Sequence, residues 1–152
     1  RGSSNQLYTA LLSLGSAGLT GYGLQANIVS IPEAHTDFIF AAFGQCFGFI
    51  GTTFILILCL LLDIYLCKIA YATKDKKDRF IVVGIIAMLL YQQLQNTGMI
   101  VGLLPITGIT LPLISYGGSS ILSYFISFAI ILNISPATKR TIHLNRSRKK
   151  SV

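Results

Sequence analysis

Residues 38–62 read FIFAAFGQCFGFIGTTFILILCLLL, which is 25 residues without a charged side chain. At about 1.5 Å per residue, a helix of this length crosses a hydrocarbon core of roughly 30 Å. Directly around its start, Pro32–Ala41 carries Glu33, His35 and Asp37, and Asp37 is the last charge before the run. A carboxylate at the mouth of a membrane helix can act as a catalytic base, hold an ion or proton, or cap the helix.

The composition of the whole chain agrees with this membrane segment. Its 152 residues are 53% hydrophobic and 11% charged, whereas soluble domains average about 25% charged residues. The chain opens at Arg1 without Met or a signal-peptide pattern, so we expect a segment of a larger multi-pass protein. The three cysteines fit neither a disulfide framework nor a zinc spacing, and are expected to be small apolar side chains.

The net charge of +7 is concentrated in two places. Of twelve Lys and Arg residues, five lie in Lys68–Arg79 and six in Lys139–Lys150. Short basic segments beside apolar spans mark the cytoplasmic side of a membrane and can contact anionic lipid head groups. The charge is therefore a topology signal, and nucleic acid is not an expected partner.

We predict an all-α fold, a polytopic membrane helix bundle with three transmembrane helices. The predicted spans are about 38–62, 80–104 and 117–135. The predicted exterior segment 1–37 includes a short helix within Gln6–Leu14. The spans are connected by a cytoplasmic loop 63–79 and an exterior loop 105–116, and a basic cytoplasmic tail 136–152 follows the last span.

Two helix starts are possible before the first span. Ser30-Ile31-Pro32-Glu33 has the form of a capping box with Pro in the first turn, which would place Glu33 and Asp37 on one face. Thr36 is a competing N-cap, and it would place Asp37 in the first turn near the positive end of the helix dipole. Either start puts Asp37 at the boundary between membrane and water.

Glycines are concentrated in two segments. Gly15–Gly23 has four glycines in nine residues, which suits either a phosphate-cradling loop or a tightly packed turn, although the spacing is not a Walker motif. Within the first span, Gly44-x-x-x-Gly48 is suited to close helix packing. Gln45 between them is expected to face protein rather than lipid.

The second span and the loop after it are unusually polar. Its middle holds four amides, which must face a bundle interior or a cavity, either for interhelical bonding or for function: Gln92, Gln93, Gln95 and Asn96. The Pro- and Gly-rich segment 105–120 implies irregular backbone, which is tolerated only when it is buried in protein or lines a cavity.

The stretch from Asn96 to Ser120 has the pattern N-x-G-M-x-x-G-L-L-P-x-T-G-I-x-L-P-x-x-S-Y-G-G-S-S. It resembles the C-terminal signature of the SEDS family, which includes RodA, FtsW and SpoVE. Pro32–Ala41 resembles the family's second signature, and Gly15–Gly23 resembles its glycine-rich exterior segment. The resemblance runs from about Gln6 to Ser135. Because family members have about ten membrane helices, it implies the last three helices and most of the preceding exterior loop.

The resemblance implies a peptidoglycan glycosyltransferase of the bacterial cell membrane that polymerises lipid II, usually with a class B penicillin-binding protein. The family requires the Asp of its T-D-F-I-F motif, which is Asp37 here, as the expected catalytic base. The supporting or substrate-binding candidates are Glu33, His35, Asn96, Thr107, Ser115, Tyr116 and Ser119.

Several of these residues have alternative roles. Glu33 can help place a divalent cation, Mg²⁺ or Mn²⁺, or can only close the capping box. His35 can shuttle protons or simply form hydrogen bonds. Thr107, Ser115 and Tyr116 can line the path of the sugar or pyrophosphate, or can satisfy a broken helix. Positive charge at the leaving pyrophosphate is expected to come from a divalent cation or from helices outside this chain.

One departure from the family pattern concerns the first span. Where the family usually has G-E-E-x-G, this chain has Gly44-Gln45-Cys46-Phe47-Gly48, which suggests weaker activity or a divergent paralogue. Thr107 is more typical of RodA, and the short segment 24–31 of FtsW or SpoVE, so the subtype stays open. The alternative functions are a lipid II flippase and a non-catalytic scaffold for a penicillin-binding protein.

Overall fold

The computed structural model describes residues 2–23 and 36–135. In these ranges every regular element is a helix, as predicted: α1 Gly2–Ser16, α2 Ile39–Ala72, α3 Lys76–Ile100 and α4 Gly118–Ile134. Helices α2 and α3 are long and apolar enough to cross a membrane. Helix α4 has 17 residues, which is about 26 Å of helix. Glu33, His35, the Ser30–Glu33 capping box and the tail 136–152 lie outside the described residues.

Helices α2 and α3 form an antiparallel hairpin with a connection of only three residues, 73–75. The predicted loop 63–79 is therefore mostly helical. The turn is closed at both ends. The Asp75 side chain accepts a hydrogen bond from the Lys77 N–H at 3.0 Å as the N-cap of α3, and the Arg79 guanidinium donates to the Thr73 carbonyl. Because these local bonds replace a longer loop, the basic residues of this region gather at one end of the hairpin.

Helix α2 is broken at Gly48, whose φ of 64° and ψ of −156° are not helical. A break there removes the helical bonds from the N–H groups of Phe49 and Ile50 to the carbonyls of Gln45 and Cys46. Inside a membrane such freed groups are tolerated only where protein satisfies them.

The glycine-rich segment Gly15–Gly23 supplies hydrogen-bond partners for the groups freed by the break. Tyr22 and Gly23 donate their N–H groups to the Gln45 and Cys46 carbonyls, both at 3.0 Å. In return, the Gly18 and Leu19 carbonyls accept from the N–H groups of Phe49 and Ile50, at 3.0 and 3.2 Å. Four bonds thus replace two, and the segment behaves as a tightly packed turn. Gly48 is the break itself, so only Gly44 of the predicted small-residue pair packs against another helix, beside Leu14 of α1.

Helix α3 ends at Ile100, four residues before the predicted end of its span at Leu104. Gly102 has a φ of +79°, the left-handed conformation that commonly ends a helix. The N–H groups of Leu103 and Leu104 both donate to the Gly98 carbonyl. The chain therefore turns back on the helix end, and the irregular exterior segment begins before Pro105.

Two buried clusters hold the helices together. One joins α1, the start of α2, the end of α3 and the following loop, and its members are Ala10, Phe38, Phe40, Ala41, Ile55, Met99, Ile100 and Leu111. The other joins α2, α3 and α4 nearer the basic turn, and its members are Leu66, Ile69, Ala70, Val82, Ile86, Leu89, Tyr124, Ile131 and Ile134. The opposite face of α2 leaves large apolar side chains about half exposed, including Phe54, Leu60 and Leu61, as expected for a helix in lipid or against other membrane helices.

Candidate functional site

The break in α2 determines where Asp37 lies. A straight helix from Asp37 to Ala72 would be about 50 Å long. Asn96, however, hydrogen-bonds the Asp37 carbonyl, and it lies only about 30 Å along α3 from Lys76. The first part of α2 therefore folds back at Gly48, and Asp37 lies beside the end of α3 that is remote from the basic turn.

Buried aromatic side chains fix the start of α2. The helix begins at Ile39 with Phe38 as N-cap and without a side-chain cap from that residue. The prediction of Thr36 as N-cap is therefore wrong: Phe38 occupies that position, and Asp37 precedes the helix instead of lying in its first turn. The physical reason is that Phe38 and Phe40, 2% and 3% exposed, anchor this segment in the cluster with Leu111. Asp37 itself stays partly exposed.

Asn96 connects the Asp37 segment to the loop after α3. Its side chain is fully buried, and its Nδ2 donates to the Asp37 carbonyl and to the Ile109 carbonyl, both at 2.8 Å. Two carbonyl partners fix which end of the amide faces them, because only the NH₂ group can donate. The Oδ1 atom is buried without a hydrogen-bond partner among the described residues.

The other amides of α3 bond to three different elements. Gln95 donates to the Pro105 carbonyl at 3.0 Å, Gln93 to the Asp63 carboxylate on α2 at 3.2 Å, and the Gln92 oxygen accepts from the Tyr124 hydroxyl on α4 at 3.1 Å. This set of bonds explains why a membrane helix carries four amides. Only those of Gln95 and Asn96 reach the loop near Asp37.

The loop 101–117 approaches the Asp37 carboxylate at Gly108. Gly108 has a φ of +67°, and a Cβ built there would lie 3.3 Å from Oδ2 of Asp37. A side chain at this position would therefore crowd the carboxylate. Leu113 has a φ of 65°, and such strain in a residue other than glycine is typical of functional loops.

The predicted loop residues occupy different environments. Ser115 is buried, and its hydroxyl accepts from the Leu111 N–H at 2.8 Å, so it fixes the loop. Thr107 and Ser119 are exposed, as is Tyr116 at 77%. An apolar cavity of about 460 Å³ lies beside the start of α2, lined by Ile39, Leu113, Ile114, Ser115, Tyr116 and Ile121. Ser115 and Tyr116 are therefore close to the Asp37 segment, whereas Ser119 lies in the first turn of α4, where its carbonyl accepts from the Ser123 hydroxyl at 3.0 Å.

The charges of the described residues are separated along the bundle. The described Lys and Arg residues all lie between Lys68 and Arg79, at the opposite end from Asp37. Within 2–23 and 36–135, no three His, Cys, Asp or Glu side chains come together.

Sequence reasoning missed three contributors to the site. Gly48 and Gly21 set the fold-back of α2, and a Cβ on Gly21 would lie 2.4 Å from the Cys46 carbonyl oxygen. Gly108 makes room for the Asp37 carboxylate. The signal for all three was the glycine itself, but positive φ and close backbone approach cannot be separated from helix packing by spacing alone.

A family model described as cell cycle protein, for FtsW, RodA and SpoVE, matches residues 1–140. Stage V sporulation protein E of Bacillus subtilis (strain 168) is 42% identical over 137 residues, covering 88% of this chain and 37% of that protein. Peptidoglycan glycosyltransferase RodA of Mycobacterium bovis is 37% identical over 151 residues, covering 99% of this chain and 32% of that protein. The chain thus spans about a third of the length of these relatives.

Solved structures include the same arrangement. A chain from a peptidoglycan synthase complex, described for its coordination of polymerization and crosslinking, superposes with a TM-score of 0.68 at 31% identity. The match covers 87% of this chain and 35% of that one. Together with the membrane-length helices α2 and α3, these matches confirm the predicted all-helical membrane bundle.

Proposed function

Because the chain belongs to the FtsW, RodA and SpoVE family of cell cycle proteins, we propose that it carries the catalytic carboxylate of a peptidoglycan glycosyltransferase. The substrate of the proposed reaction is lipid II, and the product is a growing glycan strand. The observation that carries the proposal is the placement of Asp37, a partly exposed carboxylate held between a broken membrane helix and the 101–117 loop, where a Cβ built on Gly108 would lie 3.3 Å from its Oδ2.

In the proposed step, Asp37 is the general base. The acceptor sugar hydroxyl attacks the anomeric carbon of the lipid-linked donor, and its proton passes to the Asp37 carboxylate. The bond between that carbon and the pyrophosphate oxygen breaks, and its electron pair leaves with the lipid pyrophosphate. A sugar hydroxyl is a poor nucleophile at neutral pH, and a well-placed base accelerates such a step by about 10²–10⁴-fold.

The negative charge on the leaving pyrophosphate must be stabilised by groups other than Asp37. Electrostatic stabilisation of a leaving group requires cations or aimed donors, and the described cations lie at the other end of the bundle. We therefore assign this stabilisation to parts of the protein outside the described residues. His35 and Glu33, two and four residues before Asp37, remain candidates for supporting roles, His35 as a proton shuttle and Glu33 as a residue that helps to place a divalent cation.

The orientation of the bundle follows from its charge. The turn 73–75 lies in a basic region, Lys68–Arg79, and the positive-inside rule places such a short segment on the cytoplasmic side. By the alternation of helices, Asp37 and the 101–117 loop face the exterior, and the C-terminal tail is cytoplasmic. As a partner, we propose a class B penicillin-binding protein, since the similar solved chain comes from a complex that couples polymerization to crosslinking.

Reconstituted liposomes test this function against its main alternative, a lipid II flippase. Full-length protein in sealed vesicles is supplied with lipid II from outside, and glycan polymer and dye-labelled lipid crossing are measured in the same preparation. The glycosyltransferase assignment predicts polymer. Lipid crossing without polymer supports the flippase instead. If both activities are absent and the protein still stimulates its penicillin-binding partner, the result supports a scaffold.

A substitution at Gly108 tests whether the loop must leave room for the carboxylate. Gly108→Ala adds a methyl group beside Asp37 Oδ2, and a shift of a few tenths of an ångström is expected to lower the polymerisation rate about tenfold. Gly18→Ala is the matched control, because Gly18 has a similar φ of +60° but no atom within 4 Å of a built Cβ. Equal rates in the two variants would contradict the close approach of loop and carboxylate.

A further inference from the structure

The fully buried Asn96 side chain makes contacts that a simple interhelical bond would not. Its NH₂ group reaches two main-chain carbonyls, those of Asp37 and Ile109, that belong to segments far apart in sequence. One carbonyl belongs to the residue proposed as base, and the other belongs to the residue after Gly108, where a built Cβ would lie 3.3 Å from the Asp37 carboxylate. One amide thus sets the position of the carboxylate relative to the loop.

We propose that Asn96 is a positioning residue for Asp37, which acts by holding the Asp37 main chain and the 101–117 loop at a fixed separation. This inference rests on the proposed function. Asn96 does not donate to the Asp37 carboxylate in these bonds, so its effect is on geometry rather than on the charge of the base. Its burial, at 0% exposure, also keeps it away from substrate.

Other groups near the site are less able to take this role. Gln95 bonds only the loop, through the Pro105 carbonyl. Ser115 bonds within the loop, to the Leu111 N–H. The Asn96 amide, in contrast, bonds both the Asp37 segment and the loop.

The test compares Asn96→Leu with Gln93→Leu in the full-length protein with its partner. Both changes remove a buried amide donor from α3, but Gln93 bonds Asp63 and lies outside the site. Asn96→Leu is expected to lower kcat for lipid II polymerisation by about 10–100-fold, since small misplacements of a reacting group have effects of this size. KM is expected to stay unchanged, and Gln93→Leu is expected to keep the wild-type kcat.

A second readout is independent of activity. Spin labels at Thr107 and Tyr71, both exposed, report the distance from the loop to the basic end of α2 in a protein whose native cysteines are replaced. The distance distribution is expected to broaden in Asn96→Leu and to stay narrow in Gln93→Leu. Asn96→Ala, which removes the NH₂ donor without adding bulk, is expected to act like Asn96→Leu and serves if the leucine variant does not fold.

Two outcomes would overturn the inference: an Asn96 variant with wild-type kcat and a narrow distribution, or an equal loss of kcat in Gln93→Leu. Asp37→Asn is measured in parallel. If that variant keeps full turnover, the proposed function itself fails, whereas the label distances still report whether Asn96 holds the loop.

Discussion

Gly48→Ala is expected to prevent stable folding of the bundle. The φ and ψ of Gly48, 64° and −156°, lie in a region that is essentially open only to glycine and costs other residues about 1–3 kcal/mol. A Cβ there would also lie 2.4 Å from the Gly21 nitrogen and 2.5 Å from the Leu19 carbonyl oxygen. The glycine-rich segment and the break in α2 must therefore move apart. This movement weakens the four backbone hydrogen bonds between them, which are worth about 1 kcal/mol each. The expected loss exceeds about 4 kcal/mol.

The measurement is thermal unfolding of purified full-length protein in detergent, together with its yield from membranes. Gly84→Ala is the matched control, because Gly84 lies within α3 and a built Cβ meets no atom within 4 Å. That change is expected to be neutral or to stabilise by up to about 1 kcal/mol. Wild-type stability of Gly48→Ala would mean that α2 can close into a regular helix without the glycine-rich segment.

Asp37→Asn is expected to lower lipid II polymerisation by about 10²–10⁴-fold, because it removes the proposed base. The fold is expected to survive, since the Asn96 bond goes to the Asp37 main-chain carbonyl, which asparagine retains. The initial rate of polymer formation and the melting temperature are measured on the same preparation.

Asp63→Asn makes the same chemical change at a buried carboxylate within α2, nearer the basic turn. The Asp63 oxygen accepts from Gln93, and an asparagine oxygen can accept the same bond, so turnover is expected to stay within about threefold of wild type. Equal loss of turnover in both variants would indicate a general electrostatic effect rather than a base at Asp37.

Much of the fold could be predicted because long apolar runs, basic flanks and Pro-Gly segments are local signals. The all-helical bundle, the polarity of α3 and the proximity of Asp37 to the later loop all follow from them. The ends of the helices could not be predicted as well. Helix α3 stops at Ile100 because Gly102 turns the chain, and α2 starts at Ile39 because Phe38 and Phe40 are buried. Both effects depend on tertiary contacts.

The break at Gly48 could not be predicted, because Gly44-x-x-x-Gly48 reads equally well as a packing face in a continuous helix. The partner of the break lies more than twenty residues earlier, in Gly18–Gly23, and no periodicity connects the two. The same limitation applies to Asn96, whose amide was recognised as costly in lipid but whose two carbonyl partners lie 59 and 13 residues away.

The structure places Gln45 and Cys46, where the chain departs from the G-E-E-x-G pattern, at the break in α2. Both residues lie directly before the break, and their carbonyls accept from Tyr22 and Gly23. Gln45 is buried at 7% exposure, where an ionised glutamate would carry a desolvation cost. Gln45→Glu with Cys46→Glu would restore the family pattern at this position.

The most direct test of the central claim is the single-turnover rate of glycosyl transfer by the full-length Asp37→Asn protein in liposomes. Lipid II is supplied from outside, the partner's crosslinking site is blocked, and the amount of inserted protein is matched to wild type. The proposed role of Asp37 predicts a rate at least about 10²-fold below wild type, with Asp63→Asn close to wild type. A wild-type rate in Asp37→Asn would contradict the assignment of Asp37 as the base.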